Sequence, residues 1–88
     1  MTMYGANPEQ LAHLGRTLRH QIDQVRSVRS TVDGVLSGTT WQGPARERFG
    51  QEWTDSFTLA LRRLEEAFEA AGRDCLARAE ELQRIMGT

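Results

Sequence analysis

Ser37-Gly38-Thr39-Thr40-Trp41-Gln42-Gly43-Pro44 is the stretch that decides the fold. Its glycines lower helix propensity and its hydroxyl side chains compete for backbone hydrogen bonds. Gly43-Pro44 then offers an N-cap and a first helical position for a new helix. No comparable stretch interrupts the chain from Pro8 to Met86, so this is the one internal turn.

On its N-terminal side Leu11, Leu14, Leu18, Ile22, Val25, Val28, Val32, Val35 and Leu36 recur at steps of three and four, which lines one face of a helix over about residues 8–36. Asn7-Pro8-Glu9-Gln10 marks its start: Asn as N-cap, Pro in the first position, and Gln in the third, able to reach back to the cap. On the C-terminal side Phe49, Trp53, Phe57, Leu61, Leu64, Phe68, Ala71, Cys75, Ala79, Leu82 and Met86 step the same way, predicting a second and longer helix over about 44–86. No run of five or more residues alternates apolar and polar types, and β-branched residues are nearly absent after Thr58, so a strand reading fails. The expected fold is all-α: one antiparallel helical hairpin spanning residues 1–88, with a turn at about 37–43 and a shallow, coiled-coil-like crossing. With 88 residues, 39% of them apolar, the chain has room for one small core.

A lone hairpin buries only the edges of each apolar stripe. Two hairpins can close a four-helix bundle, so Leu18, Ile22, Val25, Phe49, Trp53, Phe57, Leu61, Leu64 and Phe68 are the candidate core and dimer face, in a homodimer or a heterodimer. Residues 11–31 are rich in arginine and residues 65–81 in acids. A turn centred near residue 40 would bring Arg16 close to Glu65 and Arg29 close to Glu52, each exposed pair worth at most about 1 kcal/mol. In that register the second helix overhangs from Gly72 onward. Cys75, Leu76, Leu82, Ile85 and Met86 then lack an intrachain partner and form a candidate docking tail, and Gly72 is the natural place to bend or fray.

Charge and motif content narrow the function. The formal net charge is −1, which lacks the cationic footprint of phosphate-backbone binding, so no nucleic-acid partner is expected. The acidic second half of helix two argues against a membrane-surface role. His13 and His20 lie seven residues apart, roughly 10 Å along a helix and too far to share a metal ion. Glu69 with Arg73, Asp74 with Arg78, and Glu80 with Arg84 are helix-stabilising pairs four apart. The single Cys75 sits among apolar helix positions, which favours packing over reactivity. No phosphate-binding glycine loop and no Cys-x-x-Cys is present, and the expectation is a non-enzymatic protein with no cofactor and no metal. The first residues lack the basic start and apolar core of a secretory signal, so any export would take another route.

Trp41-Gln42-Gly43 at the turn between two long amphipathic helices resembles the WXG family, the small ESAT-6-like substrates of type VII (ESX) secretion. The resemblance covers the whole chain. It implies a dimeric, non-enzymatic protein, cytoplasmic before export and secreted without a cleaved signal peptide. It also implies that Trp41 and Gly43 form part of an export signal read by the motor ATPase of the machine. Bottom-up, the tryptophan can fold over the open end of the interhelical seam, and the glycine can start a helix without side-chain obstruction. The family's companion motif, Tyr-x-x-x-Asp/Glu after the second helix, is missing, since the only tyrosine is Tyr4. A partner would supply it: another WXG-type hairpin or the helical N-terminal domain of a larger effector. The alternative is a cytoplasmic helical adaptor or chaperone that covers the targeting domain of such an effector.

Overall fold

A computed structural model describes residues 5–86. Helix α1 runs Pro8–Gly38, two residues beyond its expected end, and α2 runs Pro44–Glu52. A π-helical turn, Trp53–Phe57, joins α2 to α3, Thr58–Met86. No strand occurs among the described residues, and the two long arms lie side by side in a rod 66 × 18 × 16 Å. The helical hairpin is therefore the architecture, with its second arm interrupted by one wide turn.

The helix ends obey their sequence signals. The Asn7 side-chain oxygen accepts the backbone N–H of Gln10 at 3.0 Å, with Pro8 in the first position. At the other end Thr39 leaves the helix in an extended conformation, its hydroxyl donating to the Val35 carbonyl at 2.6 Å. Gly43 has φ +116, a region that side chains strain, and its carbonyl accepts the Glu47 N–H at 3.2 Å to open α2.

The register differs from the expected one. Gly15 lies against Gly72: a Cβ built on Gly15 would fall 2.9 Å from the Gly72 carbonyl oxygen and 2.9 Å from Leu76 Cγ. Pairing is thus displaced by seven residues from the expected register, which would set Gly15 opposite Glu65; the connection at 39–43 accounts for only about two of these, and the close approach of the two glycines fixes the pairing. Arg16 and Arg29 do not meet Glu65 and Glu52 as expected. Instead the Arg26 Nε donates to Glu65 Oε1 at 3.1 Å, Arg29 lies 3.5 Å from Glu65 Oε2, and Arg19 lies 4.0 Å from Glu69.

The overhang shrinks accordingly. Ala79 is 4% exposed, Gly72 and Pro8 are buried, and Cys75, Leu76 and Leu82 are half-buried, so helix one covers much of the tail expected to be bare. Ile85 and Met86, at 68% and 66% exposure, are the tail residues that stay on the surface. Gly72 is a closure point, where the missing side chain lets two backbones approach, and not a place where the helix breaks.

Candidate interaction surface

Side chains on one helix face recur every three or four residues, and in an antiparallel pair the same rotational offset from the seam points both helices to the same side. On one side of this seam Arg19, Arg26, Glu65 and Glu69 carry the interhelical ion pairs. Glu65 anchors that side. Its carboxylate is 12% exposed, one oxygen accepts the Arg26 hydrogen bond, and the other is shielded from solvent with only an ionic contact to Arg29. Farther along, the hydrogen bond between Asp74 and Arg78 raises the Arg78 pKa above its ordinary value.

The other side is mostly apolar over its middle, with Arg78 and Glu81 bordering it beside Leu11 and Leu82 toward the chain ends. Ile22 and Val25, each 7% exposed, are buried beside the seam, while Leu18, Leu61 and Phe68 are half-buried at its edge. Beyond them Leu14 (48%), Val28 (50%), Val35 (65%), Phe57 (44%) and Leu64 (41%) face outward. The expected core face is therefore split: its inner edge closes the hairpin and its outer edge, including Phe57 and Leu64, stays open. Full burial of such side chains stabilises by about 1.5 to 3 kcal/mol each, so leaving them open forgoes a large share of the available driving force.

The turn end is built from rings. Trp41 packs on Phe49 at 6.0 Å between ring centroids, Phe49 on Phe57 at 6.5 Å, and Phe57 on Trp53 at 6.1 Å, all tilted. The Trp53 indole N–H donates to the Asp33 carboxylate, tying the second arm to the first. That bond could not be read from sequence, because the expected register sets Asp33 opposite Glu47 and only the true register brings it opposite Trp53. Trp41 is 40% exposed and borders an almost wholly apolar groove with Val32, Val35, Leu36 and Phe49. The tryptophan is thus both a packed lid and part of an accessible surface.

Other expected features take plain positions. Among the described residues no group of three or more His, Cys, Asp or Glu could hold a metal ion, and no helix is long and apolar enough to cross a membrane. Tyr4 falls outside the described residues. Comparison with family models, with curated proteins and with solved structures finds no match to this chain.

Proposed function

We propose that this chain is a non-enzymatic WXG-type hairpin that pairs through its apolar flank and is exported by, or helps deliver a partner through, a type VII secretion machine. The observation that carries the proposal is the state of Trp41-Gln42-Gly43. The motif occupies the hairpin turn, its tryptophan is held by Phe49 yet 40% exposed, and its glycine has a φ that favours glycine over any other residue. A rigid, partly exposed aromatic at the tip of a rod is the kind of feature a translocating motor can recognise. The partner is a second helical hairpin or the helical N-terminal domain of a larger effector.

The test is Trp41→Ala, tracked in culture filtrate and cell lysate. Export should fall strongly while stability drops by less than the roughly 3 to 5 kcal/mol of a fully buried tryptophan. Undiminished export of the variant would remove the signal role. A second reading, a cytoplasmic adaptor that covers an effector's targeting domain, is favoured by the breadth of the open flank, and it predicts strict cell association of the unaltered protein.

A further inference from the structure

Toward the turn the two arms draw apart. The interhelical ion pairs end at Arg29 with Glu65, and no Cα of α1 comes within 8 Å of a Cα of α2 or of the π-helical turn. The apolar groove at the tip occupies this opening, walled by Val32, Val35 and Leu36 of α1 and by Phe49 of α2, with Trp41 at its border. Among the described residues one polar contact spans it, the hydrogen bond from the Trp53 indole to the Asp33 carboxylate.

Both partners of that bond are brought to the seam by helix geometry. Asp33 follows the buried Ile22 by eleven residues, close to three full turns, so it faces the second arm where an amphipathic helix ordinarily carries an apolar side chain. Trp53 and Glu65 are twelve residues apart, which in unbroken α-helix would set them about 120° from each other around the axis. The wide turn at 53–57 takes in one residue and leaves only about 20°, so Trp53 looks toward α1 as Glu65 does.

We propose that Asp33 is the positioning residue of the export turn: through Trp53 it holds α2 off α1 and so sets the exposed pose of Trp41. The inference rests on the turn being the recognised feature, as in the proposed function. Trp53 packs on Phe57, Phe57 on Phe49, and Phe49 on Trp41, so the rings follow Trp53 as it is held. Closing the groove would bury its apolar walls, which water favours. The carboxylate opposes that closure, because it is exposed and loses hydration if the arms come together. Asp33 is thus a prop as well as a tie, and it acts without touching Trp41 or the recognising protein.

The test uses the whole chain labelled with fluorotryptophan, the two fluorine resonances being assigned with Trp41→Phe and Trp53→Phe. Asp33→Ala should move the Trp41 resonance and lower its solvent isotope shift, as the groove closes over the ring. Asp33→Asn keeps an acceptor oxygen and should restore both. Trp53→Phe removes the donor and should move the Trp41 resonance as Asp33→Ala does, which keeps the test open if Asp33→Ala fails to fold. Export into culture filtrate should fall roughly five- to tenfold in Asp33→Ala, the shift in pose expected from one ordinary hydrogen bond, and recover in Asp33→Asn. A Trp41 resonance unmoved in folded Asp33→Ala or Trp53→Phe overturns the inference whatever export does, and so does an Asp33→Asn variant as perturbed as Asp33→Ala. A resonance that moves as expected while Trp41→Ala is exported normally sinks the export reading and leaves the positioning of the ring standing.

Discussion

The two ends of the hairpin are closed in opposite ways. Near the turn, Trp41, Phe49, Phe57 and Trp53 form a chain of ring contacts along the second arm, and the Trp53 indole reaches Asp33 on the first. Toward the chain ends, Gly15 and Gly72 bring the backbones together with no side chain between them, and Leu76, Cys75 and Arg19 pack around that contact. Ring packing has reserves, because an aromatic side chain can tilt or shift. A glycine contact has none, because any added atom must displace a backbone. The difference teaches that large apolar residues locate a stripe, whereas glycines locate the crossing.

The contrast can be broken most severely at the crossing. Gly72→Leu places a branched side chain where even a Cβ meets Arg19 Cγ at 2.6 Å and the Gly15 carbonyl at 3.0 Å. A loss of about 3 kcal/mol or more is expected, read as loss of a cooperative thermal transition by circular dichroism. Gly15→Ala should cost about 1 to 3 kcal/mol in denaturant unfolding, since its methyl group would press on a carbonyl oxygen. At the turn end Trp53→Phe keeps one aromatic ring but removes the donor to Asp33 and part of the ring surface packed on Phe57, so about 1 to 2.5 kcal/mol is the expected loss. The smallest effect sharpens the comparison by changing sign. Gly34 has nothing within 4 Å of a built Cβ, and Gly34→Ala should stabilise by about 0.5 to 1 kcal/mol through helix propensity alone. A Gly15→Ala variant as stable as Gly34→Ala would show that the helices do not cross where the structure places them.

Much of the fold is legible in the sequence. Asn7-Pro8 caps α1, and the Trp41-Gln42-Gly43 segment falls between the arms, because capping and turn formation depend on a few neighbouring residues. The apolar steps identify Ile22 and Val25 as core for the same local reason. Register is not legible. It depends on contacts between residues far apart in sequence, and arginines spaced along α1 can satisfy several pairings with acids of the second arm at nearly equal energy. Gly15 and Gly72 decide it, yet each reads by itself as a weak point in a helix. The exposure of Phe57 and Leu64 is hidden too, because periodicity marks a stripe without saying how much of it one partner helix can cover.

The wide turn at 53–57, where the Thr58 N–H bonds to the Trp53 carbonyl five residues back, has a consequence for ancestry. Such a turn is the shape a helix adopts when it takes in one extra residue without rotating the rest of its length. The stretch from Gln51 to Thr58 is therefore the place where a lineage of such hairpins can gain or lose a single residue. A shorter relative lacking one position there would wind as uninterrupted α-helix and still bring its tryptophan turn and its glycine crossing to the same two ends of the rod.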